Sequence, residues 1–255
     1  MTISVISDLH CHGGGLHCDL DVENTKPADV LVVAGDLATE DHYGYYDLLL
    51  REKLSGKFRK IIAIRGNHDY YHMGYIVKGQ KTVVPSMRDN FVERVYEQDG
   101  FRKVDFICTP MWSPISAKHE KKIMYSLNDY PFIPGFTPRK CTALFRRNMA
   151  WLERKVRESR FVGAVPVIVT HHLPRRELIA SAFEGSDINE AFCVINQKAE
   201  ARLASLDVPL WIHGHSHNFM DATIGNTRYV RNPLGYCYSM RHEATGYVKD
   251  FIVEV

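Results

Sequence analysis

The chain has no uninterrupted apolar stretch approaching the ~18–20 residues that a membrane span requires. Its N-terminus lacks a basic patch followed by an apolar leader, and Ile3-Ser4-Val5-Ile6 reads instead as a strand. The expectation is a cytoplasmic protein that engages no membrane. No Cys-x-x-Cys pair occurs among Cys11, Cys18, Cys108, Cys141, Cys193 and Cys237, and 255 residues build a core without staples. A disulfide scaffold is therefore excluded. Cys11 and Cys18 enclose His12 and His17, but the spacing is not that of a zinc knuckle, and Gly13-Gly14-Gly15 divides the four. They read as reduced thiols in a flexible loop. Nothing repeats and no Pro/Ser-rich linker interrupts the chain, so one domain over 1–255 is expected. Neither sign of charge prevails: 32 Lys and Arg against 30 Asp and Glu gives +2, too balanced for a protein that coats a polyanion. At 45% apolar and 24% charged, disorder, collagen and coiled coil drop out as well. Histidine is the unusual presence, with thirteen copies.

Short β-branched runs recur, and each stops abruptly at polar residues. Run 3–7 stops at Asp8-Leu9-His10, 30–34 at Gly35-Asp36, and 61–64 at Arg65-Gly66-Asn67-His68-Asp69. Run 165–170 stops at His171-His172, and 208–212 at His213-Gly214-His215-Ser216-His217. Continuous apolar runs of this length read as strands buried on both faces. Helix-like stretches over 45–54, 87–98 and 142–159 alternate with them, which argues for an α/β fold. After His217 the pattern changes to short strands in hairpins, over 222–224, 227–230, 247–248 and 251–253, with Gly225-Asn226 as the first turn. Residues 110–140 form the least regular segment. Five prolines there interleave with Trp112, Tyr125, Tyr130, Phe132 and Phe136, and the segment reads as an insert beside the active site that walls the substrate pocket.

Ligands of open α/β sheets bind at the carboxyl edge of the strands. Here five strands end there in residues that can hold a metal, so side chains from Asp8 to His217 can converge. Asp8-x-His10 or Gly35-Asp36 alone means little, whereas Gly66-Asn67-His68-Asp69 and Gly214-His215-Ser216-His217 are specific. A dinuclear site needs a bridging carboxylate, which Asp36 can supply, and imidazole and oxygen ligands with room for solvent and substrate. Asp8 and His10 would share a face of an extended chain, as would His215 and His217. Asn67 adds a neutral oxygen. Two carboxylates against two dications leave the site net positive, which suits a phosphate.

These motifs together resemble the signature of the calcineurin-like metallophosphoesterases. The resemblance implies two packed mixed β-sheets flanked by helices. It implies one metal held by Asp8, His10, Asp36 and His217, and another by Asp36, Asn67, His171 and His215. It makes His68 a catalytic histidine rather than a ligand. Of the adjacent His171 and His172, the family pattern takes the first; His172 either faces the pocket or stabilises the turn before Pro174, and His213 belongs to the strand and backs the ligands. The protein Ser/Thr phosphatases of the superfamily carry Gly-Asp-x-x-Asp-Arg-Gly and Gly-Asn-His-Glu. This chain has Gly35-Asp36-Leu37-Ala38-Thr39-Glu40 and Asp69 at the Glu position, so a phosphoprotein substrate is disfavoured. Asn232-Pro233-Leu234-Gly235-Tyr236 resembles the Asn-Pro-x-Gly-Tyr turn of some small bacterial members.

The expected activity is hydrolysis of a phosphate monoester or diester of a small substrate. Two divalent ions (Mn, Fe, Zn, Co or Ni) would deprotonate a bridging solvent molecule. One rival is a nuclease using the same site, for which Arg139-Lys140 and Arg175-Arg176 speak. Against it, Arg146-Arg147 and Arg154-Lys155 are offset by Glu153 and Glu158. The other rival, a non-catalytic scaffold, would be expected to have lost ligands, and every position here is filled.

Overall fold

The apolar runs become strands because successive side chains go to two different cores, one on each face of a sheet. The computed structural model describes residues 1–11, 25–39, 54, 56–72, 89–98, 100–238 and 241–255. Strands β1 (Thr2–Ile6), β2 (Ala28–Ala34) and β3 (Phe58–Ile64) come first, then β4 (Phe91–Tyr96) and β5 (Lys103–Cys108). Helices α1 (Glu120–Ser126), α2 (Asp129–Phe132) and α3 (Pro138–Phe161) precede β6 (Val165–Val169). Helix α4 (Gln197–Ala204) leads to β7 (Leu210–Ile212), β8 (Met220–Ile224) and β9 (Thr227–Arg231). Two-residue strands β10 (Cys237–Tyr238) and β11 (Arg241–His242) pair with each other before β12 (Ile252–Glu254).

One sheet runs β12-β1-β2-β3, parallel except for β12. The other runs β4-β5-β6-β7-β9-β8, with a parallel centre and antiparallel β4 and β8 at its edges. Both sheets are mixed, as expected. Ile3, Val5, Val30, Val32 and Ile64 of the first sheet share a core with Val104, Phe106, Val167, Val169 and Ile212 of the second. The alternate residues face outward: Leu31, Val33 and Ala63 pack with Leu37 and Leu54, while Ile107, Ile168 and Trp211 pack with Phe145, Met149, Leu152 and Val156 of α3. Helix α3 contains the expected 142–159. Pro138 opens it, and the Thr137 hydroxyl caps it by accepting from the Lys140 N–H at 3.2 Å. No helix among the described residues is long and apolar enough to cross a membrane.

Three expectations need correction. Within 87–98 the chain forms β4, not a helix, in register with β5 from Phe91↔Cys108 to Tyr96↔Lys103. Phe91 and Val95, four apart, share a face in either structure, so the pairing with β5 decides. No strand forms at 247–248, because Asn232 supplies the hydrogen bonds that a strand partner would: its Oδ1 accepts from the Val248 N–H at 2.9 Å, and its Nδ2 donates to the Val248 carbonyl at 3.0 Å. The last strand then pairs with β1 instead of closing a hairpin. Residues 110–140 hold α1, α2 and the start of α3, so the segment is more regular than its prolines suggest. The expected helix over 45–54 lies outside the described residues save Leu54, as do His12, His17 and Cys18. Cys108, Cys141 and Cys193 are buried free thiols.

Candidate metal centre

The parallel strands end at one edge, and there the backbone bends sharply. Asp8 (φ 53°), His10 (φ 44°), Asp36 (φ 53°) and His215 (φ 70°) all lie in the left-handed region, as does Gly35 (φ 89°). Such backbone costs about 1–3 kcal/mol per non-glycine residue and persists only where the surroundings enforce it. Here they do: Asp8 N–H donates to the Gly35 carbonyl and His10 N–H to the Asp36 carbonyl, both at 3.0 Å, and Gly214 N–H donates to the His171 carbonyl at 3.0 Å. The loops meet so closely that a side chain at Gly66 would overlap the Asp36 carboxylate and the His171 ring. Asp8 and His10 therefore face one another through a left-handed bend, not through the extended alternation expected.

Two groups of donor atoms form, each within 4.8 Å: Asp8, His10 and His217, and Asp36, His171 and His215. His215 and His217 thus divide between the groups. Asp36 stands between them, with Oδ2 3.3 Å from His171 Nε2 and 3.8 Å from His10 Nε2. His10, Asp36 and His68 bring their donors equally close, and His68 Nε2 lies 4.0 Å from Asp36 Oδ2. Asn67 Oδ1 is 3.1 Å from His171 Nε2. Asp8, Asp36 and His171 are almost fully buried. Nε2 of His10 and of His217 are 2.9 Å apart, and His171 Nε2 and His215 Nδ1 3.1 Å. Neighbouring ligand atoms about a cation with bonds of ~2.0–2.1 Å stand roughly 3 Å apart. The donors fit divalent ions that accept nitrogen and oxygen, and no thiolate is among them.

A second layer fixes these side chains, and most of it was not legible in the sequence. His171 Nδ1 donates to the Ala34 carbonyl at 2.8 Å, and His217 Nδ1 to Glu243 Oε2 at 2.6 Å, so both rings present Nε2 to the site. Asp69, wholly buried, accepts from the N–H groups of Asp36, Leu37, Ala38 and Gly66 at 2.6–3.1 Å and ties two ligand loops together. Ser7 donates its hydroxyl to Asp8 Oδ2, and the His215 N–H donates to Asp8 Oδ1 at 3.0 Å. Tyr236 stacks on His10 with centroids 4.2 Å apart, and its Oη lies 3.2 Å from His68 Nε2. Tyr236 ends a recognised motif and Asp69 ends Gly-Asn-His-Asp, so for these two a signal existed. Glu243 has none. His172 Nδ1 donates to the Pro110 carbonyl at 3.2 Å, and its buried ring lies 4.4 Å from that of His215. His213 directly follows β7, donating its N–H to the Val230 carbonyl.

Segment 110–140 touches the candidate centre, but not through the aromatic residues expected to line a pocket. Trp112 is buried, its ring tilted against that of His172 with centroids 5.1 Å apart, and Tyr125 is exposed. Tyr130 stacks on Phe136. Asp129 makes the contact, with Asn67.

Burial would raise the Asp36 pKa, but His171 and His68 beside it hold it well below the usual carboxylate range. Against the cost of burial, Asp36 and Asp8 lift His171 to about 9, and Asp8 and Glu243 lift His217 to about 10. Burial and neighbouring imidazoles push His172 down to about 3 and His215 well below its usual value. Raised pKa values mean that His171 and His217 stabilise the metal-free protein below about 6.5 and lose that contribution as pH rises through about 9 and about 10. They also mean that metal must displace protons. At pH 7.5, Mn²⁺ uptake should release one proton from each, and affinity should rise with pH up to that range. Calorimetric titration in buffers of different ionisation enthalpy counts the protons; uptake without release would show that the two rings are neutral before metal binds or are not ligands.

Residues 1–219 match the sequence family described as calcineurin-like phosphoesterase. An uncharacterised protein of Acanthamoeba polyphaga mimivirus, L509, is 22% identical over 207 residues, which is 73% of this chain and 72% of that one. The crystal structure of the phosphopantetheinyl hydrolase of Mycobacterium tuberculosis superposes with a TM-score of 0.67 at 19% identity, covering 95% of each chain. That likeness concerns the fold.

Proposed function

The chain belongs to the calcineurin-like phosphoesterase family, and from that premise we propose that it hydrolyses a phosphate monoester or diester of a small molecule at two divalent cations. One observation carries the reading: Asp36 stands between two groups of His and Asp donors, each able to hold an ion. Asp8, His10, Asp36 and His217 would hold one ion, and Asp36, Asn67, His171 and His215 the other. Bound there, the ions supply Lewis acidity and bring the pKa of water near 7. The protein's own part is to fix the ligands, keep carboxylates few and provide a proton. His68 Nε2 sits beside Asp36 and next to the Tyr236 hydroxyl, where it can protonate a departing alkoxide.

A small substrate is favoured over nucleic acid because the arginines that spoke for a nuclease have partners. Arg175 pairs with Glu177 at 2.6 Å, Arg176 with Glu200 at 2.8 Å and Arg139 with Glu120 at 3.4 Å. The test is elemental analysis of the purified protein, then nitrophenyl monoesters and diesters assayed with Mn, Fe, Co, Ni or Zn. Metal-dependent turnover of one ester class, with no salt-sensitive oligonucleotide binding, is expected. Metal-loaded protein inert on both classes would overturn the proposal.

A further inference from the structure

Asn67 can offer a cation an oxygen only when its amide is turned the right way, because its other end is an NH₂ group that carries only donors. Nothing in its own loop decides this. Asp129 does. It opens α2, lies 62 residues away in sequence, and is buried. Its Oδ1 accepts from Asn67 Nδ2 at 2.7 Å. The amide nitrogen therefore faces Asp129, and Asn67 Oδ1 faces His171 Nε2 at 3.1 Å. The same Asp129 oxygen accepts from Tyr71 Oη at 2.6 Å. The Tyr71 ring stacks on His68, with centroids 4.3 Å apart and planes 28° from parallel. One carboxylate from the 110–140 segment thus holds both a metal-facing oxygen and the ring behind the proposed proton donor.

We propose that Asp129 is a positioning residue of the metal centre: through Asn67 it turns an oxygen toward the cations, and through Tyr71 it fixes the plane of His68. The inference rests on the metal-site reading above. It adds to that reading a residue that touches neither metal nor substrate. It also explains why an acidic side chain is buried in this aromatic-rich segment. The two arms act on different quantities. The Asn67 arm sets metal affinity, and the Tyr71 arm sets turnover once metal is bound.

The test is Mn²⁺ titration by calorimetry into the full-length, metal-free protein, with circular dichroism confirming the fold at the titration temperature. Asp129→Asn keeps one oxygen where both donors already bond, so the variant to titrate is Asp129→Ala, which removes that acceptor and frees the Asn67 amide to turn; affinity should fall ~10–100-fold, the usual effect of losing a group that orients a ligand. Exchanging the pair, Asp129→Asn with Asn67→Asp, should return it to wild-type strength or better. A carboxylate at 67 offers an oxygen on both sides, and an amide at 129 can still donate to one. Tyr71→Phe leaves Asn67 held, so Mn²⁺ affinity should stay within about threefold of wild type while turnover falls. A folded Asp129→Ala protein that binds Mn²⁺ like wild type overturns the inference, since a purely structural tie would lower the melting temperature alone. Should that variant fail to fold, the exchanged pair decides: if it folds yet binds Mn²⁺ as weakly as Asn67→Ala, the inference is equally dead. Wild-type protein that binds Mn²⁺ but hydrolyses no phosphate ester counts against the proposed activity only. Wild-type protein that takes up no Mn²⁺ overturns both.

Discussion

Asp36→Ala should strip the protein of tightly bound metal and of phosphoesterase activity together. Asp36 is the carboxylate within reach of both donor groups, with Oδ2 3.3 Å from His171 Nε2 and 3.8 Å from His10 Nε2. Two cations brought close repel each other, and a shared carboxylate is what offsets that repulsion. Without it, the Asp8, His10 and His217 group and the His171 and His215 pair would each bind weakly, if both fill at all. Metal content after gel filtration should fall to one ion or fewer per chain. Turnover of nitrophenyl phosphates should drop more than ~10³-fold, since Lewis-acid stabilisation is worth several kcal/mol of the barrier. The substitution also orphans the His68 N–H, which donates to Asp36 Oδ1 at 2.9 Å, at a cost of about 1–3 kcal/mol. Thermal melts must therefore accompany the assay, to separate loss of metal from loss of fold. Asp36→Asn, which keeps one oxygen and the shape but not the charge, should fall between the two. An Asp36→Ala protein with full metal content would show that the two groups of donors do not share this side chain.

How much of this was legible beforehand follows from where the information lies. Strands buried on both faces announce themselves as unbroken apolar runs, and β1, β2, β3, β6 and β7 were read from theirs. Their ends were legible too, because polar residues that stop such runs at the carboxyl edge converge whatever the loops do. The edge strand β4 was misread since its apolar residues, four apart, satisfy both periods; only its neighbour β5 settles the matter. The bends at Asp8, His10 and Asp36 were invisible, because no local rule places aspartate or histidine at positive φ; the crossed hydrogen bonds between three loops do so. Asp129 and Glu243 reach the site from distant segments and act through two hydrogen bonds each. A single bond between residues 62 apart leaves no periodicity to read.

His68→Ala should fail in a different way, keeping its metal and losing turnover. The ring lies between supports that are not themselves reacting groups: Tyr71 stacks on it at 4.3 Å, and His10 meets it edge-on at 4.5 Å. Its Nε2 faces the Tyr236 hydroxyl at 3.2 Å and Asp36 at 4.0 Å, so a proton on Nε2 stands beside the proposed metal site. If that proton goes to the departing alkoxide, its removal should cost ~10²–10⁴-fold in turnover. The deficit should depend on the leaving group. Nitrophenolate departs without a proton, so His68→Ala should be nearly as fast as wild type on nitrophenyl esters and slow on alkyl phosphates. Tyr236→Phe removes the hydroxyl but not the ring on His10, and should show the same dependence in weaker form. Yet His68, His10 and Asp36 also bring donor atoms within 4.8 Å of one another, so the same ring has the geometry of a ligand. Metal content separates the two roles. A His68→Ala protein that has lost an ion, or one with an equal deficit for every leaving group, would make His68 a ligand or an electrostatic support and leave the proton to be supplied by another group.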